Sequence, residues 1–248
     1  MLGRFAAIGI LAVPLAGAAE PVLRFALDGA GPVVSSANGD VTLGVRSPHR
    51  PMEEVEGVDG RALRFDGYST WLEGDGGAAL SGDAFTIELW AAIAHYPVET
   101  TALVERQALP ERGLRFGLNP WGRLVATLAT TDGLVTATAE SPLPTDRWLH
   151  LALTLGPEDG LRLYVDGEEV ASAELGGAFR AAPAAPLSIG RASGAELWRE
   201  TFETGVFNGL LDEISIHEVP LSAEAMAERS TVLERPEPAA TAVPADRF

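Results

Sequence analysis

Residues 161–172 read "LRLYVDGEEVAS", and the pair Asp166-Gly167 at the centre decides how the chain is read. A two-residue Asp-Gly loop supplies the positive φ angles of a type I′ turn, so the flanking runs form a hairpin. The spacing predicts pairing of Val165 with Glu168, Tyr164 with Glu169, Leu163 with Val170 and Leu161 with Ser172. Alternate strand residues point to opposite faces. Leu163 and Val170 therefore face a core, and Arg162, Tyr164 and Glu169 face outward or along a groove. Asp166 reads as a turn residue, not a catalytic one.

The same alternation extends outward through the chain. "VLRFAL" (22–27) puts Leu23, Phe25 and Leu27 on one face, and "AFTIELWAAI" (84–93) does so with Phe85, Ile87, Leu89, Ala91 and Ile93. "GLRFGL" (113–118) and "RWLHLALTL" (147–155) repeat it. Asp-Gly occurs seven times, and "ATTDGLVTA" (129–137) predicts a second tight hairpin. About a dozen short strands between Gly and Pro turns make an all-β antiparallel sandwich. One helix is predicted after Pro220, with Ser222 as N-cap, Glu224 in the first turn, and Leu221 and Met226 as a hydrophobic staple.

The 248 residues carry a net charge of −17, no cysteine, and 18 basic residues that are all arginine. So acidic a chain is repelled by phosphate backbones, which argues against nucleic acid; it suits neutral ligands and divalent cations. Arg4, the apolar run Phe5–Leu15 and the small residues Ala16–Ala19 have the form of an export signal. That run is too short to span a membrane, and no later one qualifies. The expected organisation is a signal peptide over 1–19, one sandwich domain over 20–231 and a Pro/Ala-rich linker or tail over 232–248. The expected location is secreted or periplasmic, and a linker with nothing after it suggests a fragment of a larger protein.

Chemistry is sparse. A glycosidase sets two carboxylates about 5–9.5 Å apart across one sugar. Outside the Asp166-Gly167 turn, acid-x-acid pairs occur only at Glu54/Glu56 and Glu73/Asp75, both in Pro- or Gly-rich sequence that reads as loop. Asp212 and Glu213 are adjacent and would point to opposite faces of a strand. In "DEISIHE" (212–218), Glu213, Ser215 and His217 share one face. Strand neighbours two apart stand about 6.6 Å from each other, too far for a Ser-His pair. The four histidines lack a zinc-type spacing. Aromatics remain. Trp90 and Glu88 share the side of their strand opposite the core, as do Trp148 and His150, while Trp121 in "NPWG" and Trp198 in "ELWRE" lie in loop-like sequence. Exposed rings beside a few polar groups suit neutral sugars; all four rings could instead be packing residues beneath crossing loops.

Five segments occur together in a familiar order: "ALRFDGYSTWLE" (62–73), "FTIELWAA" (85–92), "RWLHLALTLGPEDGLRLYVDGEEVAS" (147–172), "LSIGR" (187–191) and "FNGLLDEISIHEVPLSAEAMAE" (207–228). The set resembles the laminin-G-like, concanavalin A-like jelly-roll family. The resemblance implies a two-sheet antiparallel jelly roll with a short C-terminal helix, one concave face, and glycan or protein ligands. It also implies a structural Ca²⁺ at Asp212 of "LDE", near the N-terminal loop; Asp28 and Asn38 are candidate partners because calcium takes several oxygen ligands, the alternative being that these residues only cap turns. More narrowly, "ALRFDGYSTW" with a linker ending "VPADRF" resembles the N-terminal module of bacterial glycoside hydrolase family 32 enzymes, which act on β-fructosides. The W-M-N-(D/E)-P motif that carries their nucleophile is absent from this sequence, so no catalytic residue transfers.

The leading expectation is a secreted, non-catalytic carbohydrate-binding or accessory module. Its ligand would be a glycan, such as fructan, and a C-terminal catalytic domain is its expected associate. The alternative is a structural spacer or protein-interaction module without sugar binding. An exposed aromatic on the concave face favours the first; a face closed by loops favours the second.

Overall fold

The computed structural model describes residues 19–29, 31–49, 51–108, 110–194, 197–198 and 202–238. Two antiparallel sheets share one core. The first runs β14 (Glu168–Ala173), β13 (Gly160–Val165), β12 (Trp148–Gly156), β7 (Phe85–Ile93), β18 (Asn208–His217), β5 (Arg61–Asp66) and β4 (Glu53–Glu56), with β1 (Leu23–Phe25) also pairing β18. The second runs β11 (Gly133–Thr138), β10 (Leu124–Thr130), β9 (Arg112–Leu118), β8 (Thr101–Ala108), β15 (Leu187–Ile189), β6 (Trp71–Gly74), β3 (Thr42–Arg46) and β2 (Val33–Ser35). A separate hairpin pairs β16 (Leu197–Trp198) with β17 (Phe202–Glu203). The described residues thus form eighteen strands, not a dozen. Several of the extra ones have two to four residues, too short to display alternation.

Between the sheets lie the side chains that the period-2 pattern selects. Phe85, Ile87, Leu89, Ala91 and Ile93 of β7 meet Leu149, Leu151, Leu153 and Leu155 of β12, with Leu114, Phe116 and Leu118 of β9 in the same cluster. At the opening hairpin, Asp166 and Gly167 have φ of 51° and 82°, the two positive values of a type I′ turn. Val165 pairs Glu168 and Tyr164 pairs Glu169, as the spacing predicts. Beyond them the register slips: Leu163 pairs Ala171, and Leu161 pairs Ala173. A bulge absorbs one residue near Val170, which no sequence signal marks.

The helix α1 (Ala223–Val232) begins where the capping pattern places it. Ser222 is extended and its hydroxyl accepts from the Ala225 amide at 3.3 Å. Leu221 and Met226 pack together with Ala152 and Tyr164. The helix therefore lies on the outer face of the first sheet, and Tyr164, expected to face outward, is buried under it. Gly167 makes this approach feasible, because a Cβ there would sit 2.6 Å from Ala227 Cα.

Candidate functional site

Strand β7 sends its odd-numbered residues to the core, so Thr86, Glu88, Trp90 and Ala92 line the outer face. Register places His150 of β12 opposite Trp90, and Ser215 of β18 opposite Glu88. The Glu88 carboxylate is buried and fully engaged. It accepts from His150 Nε2 at 3.1 Å, from His217 Nε2 at 2.9 Å and from Arg229 Nε at 2.7 Å, and a second contact comes from Arg229 Nη2. Burial alone would raise its pKa; the bonds from His150, His217 and Arg229 prevail and hold it well below the usual carboxylate range. His217 Nδ1 lies 2.9 Å from the Ala19 carbonyl, so both nitrogens of that ring are engaged.

Strand β18 changes partner midway. Asn208–Leu211 pair with β5, whereas Ile214–Ile216 pair with β1. In the gap the register against β7 shifts, and Glu213 takes a φ of 49°, a left-handed conformation rare outside glycine. Leu211, Ile214 and Ile216 face the core. The bulge consequently puts both Asp212 and Glu213 on the outer face, against the expectation that neighbours diverge. Asp212 Oδ2 accepts from the Val58 and Asp59 amides at 2.8 and 3.3 Å, and Oδ1 accepts from the Glu213 amide at 2.9 Å. Burial pushes the Asp212 carboxyl up to about 8, with Glu213 adding to the shift and the amides opposing it. Glu213 Oε2 binds Arg24 at 2.7 Å; burial raises its pKa and Arg24 opposes that.

Above these groups opens a cavity of about 310 Å³. Arg24, Asp59, Glu88, His150, Glu213 and Arg229 line it, with Ser215 in the floor and Pro21, Trp90 and Leu233 as apolar wall. Two atoms in buried side chains of this lining, His150 Nδ1 and Glu213 Oε1, have no hydrogen-bond partner among the described residues.

The expected ligand residues separate into groups. Glu88 and His150 are joined to each other, as sharing the outer face suggested. Trp90 and Trp148, expected as sugar platforms, are 3% and 2% exposed. They form a second apolar cluster with Val55, Val58 and Leu210, closed by Leu233 and by the Arg235 guanidinium 5.0 Å above the Trp90 ring. The segment after α1 covers them, which strand periodicity could not reveal. Trp121 is 69% exposed in the β9–β10 turn, whose Asn119 side chain accepts from the Trp121 amide at 3.0 Å. Tyr96, also exposed, lies across Gly122, where a Cβ would fall 2.3 Å from the ring. The side chain of Trp198 lies outside the described residues.

The three expected calcium ligands are each engaged in hydrogen bonds within the protein. Asp28 Oδ1 accepts from the Arg61 amide at 2.7 Å, Asp212 takes three amides, and Asn38 is tied to Ser36 Oγ at 2.6 Å and Asp40 at 2.8 Å. Among the described residues no three His, Cys, Asp or Glu side chains group as metal ligands. Nor does the Glu213, Ser215 and His217 set form a triad, because both His217 nitrogens are occupied by Ala19 and Glu88. Of the acid-x-acid pairs, Glu54/Glu56 lies in β4 and Glu73 in β6, so these segments are strand, not loop. Arg24, His217, Arg229 and Tyr96 are the site residues that sequence reading did not select; the capping signal located Arg229's helix, not its direction.

Two stacked antiparallel sheets with a helix across one outer face define a jelly-roll sandwich. Residues 66–227 match the laminin-G-type profile of the concanavalin A-like lectin/glucanases superfamily, and the chain belongs to that family. No curated protein matches it. Among solved structures it is similar to domain 4 of AbnA, a GH43 extracellular arabinanase from Geobacillus stearothermophilus, in complex with arabinotriose: TM-score 0.65, 17% identity, 86% of this chain and 98% of that one. It is also similar to the binding domain of Paraclostridial Mosquitocidal Protein 1 (TM-score 0.61, 14% identity, 85% of this chain and 51% of that one). A sialidase of Trypanosoma rangeli gives TM-score 0.61 at 15% identity, over 85% of this chain and 32% of that one. The chain therefore spans about half and about a third of the latter two. At these identities the likeness is one of fold.

Proposed function

We propose that this chain is a non-catalytic carbohydrate-binding module of an exported protein, and that it holds a neutral glycan at the loop edge around Trp121. The observation that carries the reading is the open Trp121 ring in a turn whose Gly122 lies against Tyr96. Three loops are stitched together beneath them: the Tyr96 hydroxyl donates to the Leu143 carbonyl at 2.6 Å, and the Leu143 amide donates to the Gly122 carbonyl at 2.8 Å. An exposed indole on a turn tied to its neighbours suits stacking on a sugar ring. The carboxylates support the non-catalytic part. Glu88 is engaged by His150, His217 and Arg229, and Asp212 by three amides, so both carboxyl groups are committed to contacts within the fold. Export rests on the N-terminal pattern; a fructan ligand and an associated β-fructoside hydrolase rest on the segment resemblance.

The test is titration with fructan, arabinan and other neutral oligosaccharides, read by tryptophan emission and NMR shifts. Stacking on one or two rings gives a Kd on the order of 0.1–1 mM. Trp121→Ala should abolish the response without changing the melting temperature. A response that persists in that variant, or none to any glycan, would remove the reading. The second reading, a spacer or protein-interaction module, draws on the closure of the outer face over Trp90 and Trp148 by α1 and the residues after it.

A further inference from the structure

The cavity above Glu88 and Glu213 stands apart from the aromatic edge, and its chemistry points elsewhere. Glu88 can only accept, so His150 Nε2 donates to it, and in that tautomer Nδ1 is an acceptor. Glu213 Oε1 is also an acceptor. Both atoms lack partners, and their side chains are 98% and 91% buried, at 2% and 9% exposure. Leaving buried polar atoms unpaired is costly, so natural structures rarely do so without a reason. The backbone adds a second observation. Glu213 is held at φ 49° by a bulge whose neighbour, Asp212, is pinned by three amides. Bulges of this kind re-aim a side chain, and retained strain of this kind gathers at binding sites.

The charge balance narrows the ligand. Glu20, Asp59, Glu88 and Glu213 line the cavity against Arg24 and Arg229. Both arginines are already paired, Arg24 with Glu213 Oε2 at 2.7 Å and Arg229 with Glu88. What is left is a surplus of negative charge beside an apolar wall of Pro21, Trp90, Val232 and Leu233, with two buried acceptors that have no partner among the described residues. We propose that this cavity binds a small organic ammonium group, held by the Glu213 carboxylate and the surplus negative charge around it while its carbon body lies against that wall. An amino sugar and an alkyl diamine both present this chemistry. A carboxylate or phosphate ligand is repelled. The proposal does not depend on glycan binding at Trp121.

The experiment titrates the full chain with glucosamine, N-acetylglucosamine, glucose and putrescine, read by NMR shifts of residues 213–217 and by Trp90 emission. Glucosamine or putrescine should bind at least about tenfold more tightly than the uncharged sugars, the loss expected when one charge-assisted hydrogen bond is removed. Comparing these two identifies the ammonium's source. Glu213→Gln should weaken the ammonium ligand by a similar factor, and Trp121→Ala should leave it unchanged. Equal binding of glucosamine and N-acetylglucosamine, or no binding by any of the four, overturns the proposal. Should Glu213→Gln fail to fold, the ligand series on the unmodified chain decides alone.

Discussion

Arg229, on the helix that follows the last strand, closes its guanidinium over both carboxylate oxygens of Glu88, 141 positions earlier in β7. The pair joins the helix to the middle of the first sheet. Glu88 is almost wholly buried, and Arg229 is 22% exposed at its side chain. Removing the arginine leaves a buried carboxylate with the two histidines only. Arg229→Ala should therefore cost about 3 kcal/mol, a fall in melting temperature of roughly 6–12 °C. Arg229→Lys should recover only part, since an ammonium cannot reproduce the two-pronged contact. Urea denaturation checks both, and a cost below about 0.5 kcal/mol would show the pair to be ornamental.

The same carboxylate predicts the acid limb of stability. Glu88 is held ionised below the ordinary 4.5 of a glutamate, so the unfolded chain takes up a proton that the folded one refuses. Its contribution is complete above that value and is lost as pH falls beneath it. Asp66, also depressed, acts with the same sign; five donors from Tyr68, Ser69 and Thr70 hold it ionised against the effect of burial. Glu88→Gln should flatten the fall in urea midpoint between about pH 5 and 3. An unchanged slope would place the acid sensitivity elsewhere.

Asp166 does more than turn the chain. Its backbone amide and Oδ1 bind the His150 carbonyl and amide at 2.8 and 2.9 Å, and its carboxylate meets Arg147 and Arg235 at 3.1 and 3.0 Å. Asn keeps the turn geometry and one acceptor, so Asp166→Asn should cost only about 1 kcal/mol. Asp166→Ala loses the acceptor and forces a Cβ residue of low left-handed preference to φ 51°, which should cost about 2–3 kcal/mol. Leu163→Ala, a core truncation, should cost about 2–5 kcal/mol. Chemical denaturation ranks the three.

Arg106 of β8 is 1% exposed, and its guanidinium reaches four backbone carbonyls, those of Gly77, Ala79, Pro183 and Ala185. One side chain thus fastens two loops at one end of the sandwich. Lysine offers a point charge where a fork is needed. Arg106→Lys should lose about 2–4 kcal/mol and loosen residues 75–79 and 183–185 in amide exchange. Protection unchanged in both loops would refute the fastening role.

Much of the sandwich was legible in the sequence. Alternation at Phe85–Ile93 and at Leu149–Leu155 names the buried face directly, and Ser222 with Leu221 and Met226 marks the helix start. What escaped reading is what depends on distant partners. Nothing near Glu213 announces a bulge: no Gly or Asn occupies the left-handed position, and the strain is sustained by the turn at Gly57–Arg61 feeding amides to Asp212. Trp90 and Trp148 looked like open faces because their cover, Leu233 and Arg235, is supplied by the chain's last described turn. Periodicity says which side of a sheet a residue occupies and is silent on what later lies upon it.

Helix α1 brings few apolar side chains to its seat: Met226 and Ser230 are its buried residues, and ten residues do not sustain a helix alone in water. Its attachment is largely the electrostatic joint at Glu88. The fold therefore has two tiers of cohesion, a sandwich closed by leucine and phenylalanine and an outer flap fastened by charge. Hydrogen exchange should find the amides of 223–232 opening well before those of β7 and β12, as a separate cooperative unit. Each such excursion would wet Trp90, giving the protein an optical signature of the flap distinct from that of global unfolding.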